Sequence, residues 1–284
     1  MTEILPHCSE KVIQPRMQWN LVNKLAKDIS FGAKEGGIEP SQIVFVGGFA
    51  AFLHAKMAIG NKAVNKWRGT EDVDMVITER GGTGKILAAL QKSNEFQFID
   101  SAPSHFVNKQ TWRVQNKPQG YLTEPDRSTD VDVYFLDNKA NKVIFNDRKI
   151  SPYPDKFIAN KVELVNFSRG LKKSSIAIPS VEDCLIMKLD VARVSDKLRE
   201  KDIYDIISLF TVAEKRGIKE SDLLRTIYDN TPESDRQKIK GELLKIFSGL
   251  TKCYQDDPIA VEGRVFLPSN VYVKSCRDVL NKFV

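Results

Sequence analysis

The chain has 284 residues, 42% hydrophobic and 28% charged, the balance of a globular protein with a sizeable core rather than a disordered or membrane-spanning chain. Its net charge of +6 is compatible with a polyanionic partner without requiring one, and suits a plain solvated surface equally well. The four cysteines, Cys8, Cys184, Cys253 and Cys276, show no CxxC spacing, so neither a zinc site nor a disulfide framework is expected, and a reducing cytoplasm is the expected setting.

The N-terminus lacks the basic-then-apolar plan of a signal peptide. From Met17 to Ile29, apolar residues at 17, 21, 22, 25 and 29 predict a helix, which Gly36-Gly37 and Pro40 end. Ile43-Val44-Phe45-Val46 reads as a short buried strand, Gly47-Gly48 as a turn, and Phe49 to Met57 as a helix. The apolar stretch from Ile43 to Leu53 is interrupted by those glycines and is too short to span a membrane. A polar, lysine-rich connection over 58–68 leads to a second strand, Val73 to Thr78. A flexible turn at 81–84, a helix at 85–92, and strands near Phe96, Phe98 and Trp112-Arg113-Val114 are expected next. Val131 to Leu136 predicts another strand, while 138–149 and 161–178 read as loops with short β segments. After Pro179 the pattern turns helical, over 180–210, 222–250 and about 273–283. The expected fold class is therefore α/β (α+β): a small mixed sheet with an N-terminal helix, followed by a mostly helical C-terminal half. The expected domains are 1–178 and 179–284.

The chemistry concentrates in the first half. In Thr70-Glu71-Asp72-Val73-Asp74-Met75-Val76-Ile77 two aspartates interrupt an otherwise apolar, β-forming run. Strand side chains alternate with period two, so Asp72 and Asp74 share a face, where they repel each other and call for a cation or a shared proton. Mg²⁺ takes carboxylate and phosphate oxygens together, which makes it the expected ion. Ser128-Thr129-Asp130-Val131-Asp132-Val133 repeats the pattern. Asp132, between two valines, is the better third carboxylate, since Asp130 has a second reading as the end of the preceding turn. Gly47-Gly48 opens a helix, where backbone N–H groups can approach a phosphate; a tight turn is the plainer reading. Arg68, just before Thr70, offers a guanidinium to a phosphate or a carboxylate, or is simply a surface arginine. His54 follows the glycines on the helix and reads as a buried structural residue ahead of a pocket-lining one.

Together, Gly47-Gly48, Asp72-Val73-Asp74 and Asp132 resemble the signature of the nucleotidyltransferase superfamily that includes DNA polymerase β and kanamycin nucleotidyltransferase. The spelling Gly47-Gly48-Phe49-Ala50 with Arg68-Gly69-Thr70-Glu71-Asp72-Val73-Asp74 looks most like the AbiEii-type toxin branch. That branch carries a lysine on one helix and a Lys/Arg-Asp-x-x-Asp pattern on the next, which Lys188 and Lys201-Asp202-Ile203-Tyr204-Asp205 match; a helix surface with i,i+4 ion pairs is the alternative reading of Glu182, Asp183 and the run from Lys197 to Asp205. Two departures stand out. The connection from Gly48 to Asp72 is about twice as long as the family usually has, and Gly48 stands where many relatives have serine.

The resemblance implies a nucleotidyltransferase core. Asp72, Asp74 and Asp132 would hold Mg²⁺ (or Mn²⁺) and carry catalysis with Lys188. Gly47, Gly48, Arg68, Thr70, Lys188, Asp202 and Asp205 would line the nucleotide site. The reaction implied is transfer of a nucleoside monophosphate from an NTP such as ATP to an acceptor hydroxyl, with pyrophosphate leaving. In the toxin branch the acceptor is a tRNA 3′ end, and the implied partners are RNA and an antitoxin protein. A small hydroxylated acceptor of the aminoglycoside kind stays open, as does a non-catalytic nucleotide-binding scaffold. A CCA-adding enzyme fits less well, because Phe49-Ala50-Ala51 stands where that family has Val-Arg-Asp.

Overall fold

The computed structural model of the chain describes residues 16–35, 37–61, 72–78, 96–99, 102–108, 130–135, 143–145, 148–150, 161–194, 198–256 and 267–283. Arg68, Thr70 and the expected elements at 81–84, 85–92 and 112–114 lie outside them, as does the side chain of Asp72. The chain divides into two compact units: one takes Pro15–Ala50 and Gly69–Pro179, the other Ala51–Arg68 and Ser180–Val284 together with Met1–Gln14. The division after Pro179 falls beside the expected boundary at 178, while Ala51–Arg68 groups with the helical unit rather than with the sheet.

Helix α1 (Arg16–Glu35) buries Ala26, Ile29, Ser30 and Ala33, the stripe that helical periodicity places on one face. It stops because Gly37 adopts φ +75°. There the N–H of Gly37 bonds to Lys34 O at 3.0 Å and that of Ile38 to Ala33 O at 2.9 Å, the paired capping bonds of a left-handed glycine terminus. A 3-10 turn at Pro40–Gln42 leads into β1 (Ile43–Val46), all four residues of which are buried. Helix α2 (Gly47–Ile59) begins directly at Gly47.

The remaining strands are β2 (Asp72–Ile77), β3 (Phe96–Ile99), β4 (Ala102–Asn108), β5 (Asp130–Phe135), β6 (Val143–Phe145), β7 (Arg148–Ile150), β8 (Val162–Arg169) and β9 (Lys172–Pro179). Seven form one mixed sheet in the order β3-β4-β5-β2-β1-β9-β8, and β6 and β7 form a separate pair. β1 lies antiparallel to β2 and parallel to β9, and β2 lies parallel to β5. The region 161–178, expected as loops with short strands, is instead a hairpin of two eight-residue strands. Arg169 pairs with Lys172 across Gly170 (φ +61°) and Leu171, so the glycine supplies the left-handed position that a two-residue hairpin needs. β8 sits at the sheet edge, and its polar, partly exposed residues hide the apolar alternation that would mark a strand.

Residues paired across strands share a face. Val46, Asp74 and Asp132 form one row, and Phe45, Met75 and Val133 form the row on the opposite face. Ala177 pairs with Val44 and so belongs with Asp74, whereas Ser174, three residues away, faces the other side. Ser174 donates to the carbonyl of Ser30 on α1 at 3.4 Å, and the rings of Phe45 and Phe49 meet edge-to-face at 5.7 Å. The helices α1 and the start of α2 therefore cover the face away from Asp74 and Asp132.

The helical unit contains α3 (Val181–Val194), α4 (Glu200–Lys215), α5 (Glu220–Asn230), α6 (Glu233–Asp256) and α7 (Asn270–Lys282). Leu185, Leu189, Leu209, Phe210, Leu223, Leu243, Phe247 and Val273 are buried at its centre, where Phe210 and Phe247 pack edge-to-face at 4.9 Å. Helix α3 starts at Ser180 because its hydroxyl accepts from the N–H of Asp183 at 3.1 Å, with Glu182 and Asp183 complementing the positive helix end. Ser180→Ala is expected to cost about 1 kcal/mol in urea unfolding, and Ser180→Asp to restore most of it. No helix among the described residues is long and apolar enough to cross a membrane.

Candidate active site

The strand register assembles the acidic residues. Asp72 pairs with Asp130, and Asp74 with Asp132, on neighbouring parallel strands. In-register strands run about 4.8 Å apart, so Asp74 and Asp132 are immediate neighbours on the same face, and both are half-buried. On the far side of Asp132, β4 places residue 105 in register with it. His105 has no sequence spacing to the aspartates, and only the antiparallel pairing of β4 with β5 brings its backbone there.

Gly47 closes the other side of Asp74. A Cβ at residue 47 would stand 2.3 Å from Asp74 Oδ2 and 3.3 Å from its Cγ, so only glycine admits the carboxylate at this distance. Its φ of +67° independently favours glycine. The Asp74 carboxylate thus rests against the first residue of α2, at the end of the helix whose unbonded N–H groups favour negative charge. Gly47→Ala is expected to cost about 1–3 kcal/mol in urea unfolding from backbone strain alone and to displace Asp74 from its seat. Gly48 is buried, with no need of a positive φ.

Among the described residues no three Asp, Glu, His or Cys side chains come together as a metal cage. Asp74 and Asp132 are the described pair, and two adjacent half-buried carboxylates are the hard oxygen donors that fit Mg²⁺ or Mn²⁺ shared with phosphate oxygens. No family model, curated protein or solved structure matches this chain.

The second expected cluster lies in the helical unit. Lys188 Nζ on α3 stands 2.7 Å from Asp205 Oδ2 and 3.2 Å from Asp202 Oδ1, both on α4. Arg199, just before α4, completes the group: its Nε lies 2.5 Å from Asp202 Oδ2 and its Nη2 3.2 Å from Oδ1, a bidentate pair. The two carboxylates are fully buried, Lys188 is 12% exposed and Arg199 56%. A loose surface ladder is therefore ruled out for these residues. Arg199 was not singled out by the sequence reading; its signal was its position three residues before Asp202, one helical turn.

His54 is completely buried on α2, with Nδ1 3.0 Å from Arg216 Nη2. A guanidinium only donates, so Nδ1 is the acceptor, and the ring proton of a neutral His54 sits on Nε2. His54 acts as a structural residue that ties Arg216 to α2. Cys184 and Cys276 are buried, and burial, with Glu220 and Glu214 adding to it, pushes the Cys276 thiol well above its usual range. That thiol is a core group and a poor nucleophile.

Proposed function

We propose that the chain is a metal-dependent nucleotidyltransferase that moves a nucleoside monophosphate from an NTP to an acceptor hydroxyl. The observation that carries this reading is the register of β2 and β5, which sets Asp74 beside Asp132, together with the seating of Asp74 against Gly47. Asp72, Asp74 and Asp132 would hold the divalent ion, which when bound neutralises phosphate charge and stabilises the leaving oxygen. The backbone N–H groups of Gly47 and Gly48 would donate to phosphate oxygens at the start of α2. Asp132 orients the acceptor hydroxyl and takes its proton. The hydroxyl oxygen then bonds to the α-phosphorus, the bond to the bridging oxygen breaks, and pyrophosphate leaves with the electron pair. By the sequence resemblance Lys188 would face phosphate; within its own unit it is held by Asp202 and Asp205, with Arg199 anchoring Asp202. Arg68 and Thr70 line the nucleotide by the same resemblance.

Among acceptors, RNA is favoured over a small cationic molecule. Asp202 and Asp205, the acids that a cationic acceptor would need, are fully buried and engaged by Lys188 and Arg199. A tRNA 3′ end, in a toxin restrained by an antitoxin protein, is the specific form that the sequence resemblance supports. Calorimetric titration with each NTP, with and without Mg²⁺, tests the nucleotide half of the proposal. Metal-dependent binding that Asp74→Asn removes supports it, and binding indifferent to both metal and substitution contradicts it.

A further inference from the structure

Strand β8 forms one edge of the seven-stranded sheet, with β9 as its neighbour among the described strands. In a two-residue hairpin the residues flanking the turn, here Arg169 and Lys172, form a hydrogen-bonded pair, and such pairs alternate along an antiparallel ladder. Residues 163, 165, 167 and 169 therefore bond to β9, while Val162, Leu164, Asn166 and Ser168 aim their N–H and C=O groups outward. No backbone hydrogen bond among the described residues reaches those outward groups. Natural edge strands are blunted by proline, lysine, a bulge or short length. β8 is eight residues long, runs in unbroken register with β9, and has neither proline nor lysine. Its one charge before Arg169 is Glu163.

The side chains of this edge are apolar enough to gain from a further strand. Leu164 is 52% exposed on the face that carries Asp74, where Asn166 and Ser168 are exposed beside it. On the opposite face Val165 and Phe167 are half-buried, with the Phe167 ring held edge-to-face against Phe31 at 5.2 Å. The same segment can pair with itself, antiparallel, about a two-fold axis. The two registers that use the outward groups and pair most of the strand are centred on residue 165 and on residue 166. The first sets Lys161 opposite Arg169 of the second copy and Glu163 opposite Phe167. The second sets Glu163 opposite Arg169, Val165 opposite Phe167 and Leu164 opposite Ser168, each pair occurring twice, with Asn166 on the axis. Opposite charges and apolar pairs facing each other across a ladder stabilise it, and like charges destabilise it, so the strand is self-complementary in the second register.

We propose that β8 pairs antiparallel with β8 of a second copy of this chain, about a two-fold axis at Asn166, and joins the two sheets into one. The pairing uses neither Asp74 nor Asp132, so it can fail while the transfer reading stands, and the reverse. The test is sedimentation velocity of the full chain over a concentration series. The unsubstituted protein should pass from monomer to dimer in the micromolar range, the strength expected of an interface at the small end of the usual sizes. Leu164→Lys/Ser168→Lys sets like charges opposite each other twice and should weaken the dimer at least about 10-fold. Leu164→Lys/Ser168→Glu keeps the first substitution but sets opposite charges across the same pairs, and should bring the dimer back to within about 3-fold of its original strength. Both positions are exposed, so thermal melts of the three proteins should agree. Hydrogen exchange of the unsubstituted protein gives an independent reading. As concentration rises, the amides of Leu164, Asn166 and Ser168 should slow, while those of Val165 and Phe167, already bonded to β9, should not change. A dimer that forms, weakens with the two lysines and returns with the lysine–glutamate pair supports the proposal. A monomer at every concentration would overturn it and leave the edge to a strand of a different protein. A dimer indifferent to the two lysines, equal loss in both variants, or no slowing at the outward amides would overturn it as well.

Discussion

Asp74→Asn is expected to lower kcat/KM for nucleotide transfer by at least about 10³-fold while leaving the protein folded. The substitution keeps the shape of the side chain against Gly47, where a Cβ would come within 2.3 Å of Oδ2, and removes only the charge. Loss of a group that acts on developing charge typically costs about 10²–10³-fold, and loss of a metal ligand adds the displaced ion to that. Stability should change far less than activity. Asp74 and Asp132 are in register on adjacent strands, and like charges directly opposite each other destabilise a sheet by about 0.2–1 kcal/mol. Asn at residue 74 relieves that repulsion but gives up the favourable contact of the charge with the start of α2, so the melting temperature should change little. Pyrophosphate release and a thermal melt on the same preparation separate the two effects. An active variant removes Asp74 from the chemistry, whereas an inactive but unfolded one would show that its role is architectural.

The largest expected effect on stability belongs to Lys188→Met. Lys188 is the cation between two fully buried carboxylates, and Arg199 pairs with Asp202. Removing one partner of a buried ion pair costs about 3–5 kcal/mol, because the charge left behind has lost its water and its counterion. Against a total stability of about 5–15 kcal/mol, that is enough to populate unfolded protein at modest temperature. Lys188→Met/Asp205→Asn removes one of the buried negative charges as well and should recover part of the loss, so the cycle measures a coupling rather than a general disturbance. Arg199→Met should cost far less, since its side chain is 56% exposed and Lys188 still holds Asp202. If Lys188 and Arg199 variants lose stability equally, the burial that distinguishes them has no energetic consequence.

How much of this was legible in the sequence differs between elements for physical reasons. Val73 to Ile77 and Val131 to Val133 announce strands, because apolar β-forming residues surround the aspartates and the two-residue period settles which of them share a face. Gly36-Gly37 likewise marks the end of α1, which the left-handed Gly37 confirms. The pairing of β2 with β5 could not be read, since register between strands separated by some fifty residues depends on the whole sheet and leaves no local trace. The same holds for residue 105 beside Asp132. The β8–β9 hairpin was missed for a different reason. Lys172-Lys173-Ser174-Ser175 reads as loop on propensity, yet a glycine turn and pairing of β9 with β1 override that weak local preference. In the helical unit, the sequence placed Lys188, Asp202 and Asp205 on neighbouring helices, but their complete burial and the participation of Arg199 depend on how α3 packs against α4.

The most direct test of nucleotide transfer is incubation of the purified chain with total RNA, Mg²⁺ and each α-³²P-labelled NTP in turn. The account predicts label covalently joined to RNA from at least one nucleotide, abolished by EDTA and by Asp74→Asn. Label that reaches RNA equally well from the Asp74→Asn and Asp132→Asn proteins would contradict it.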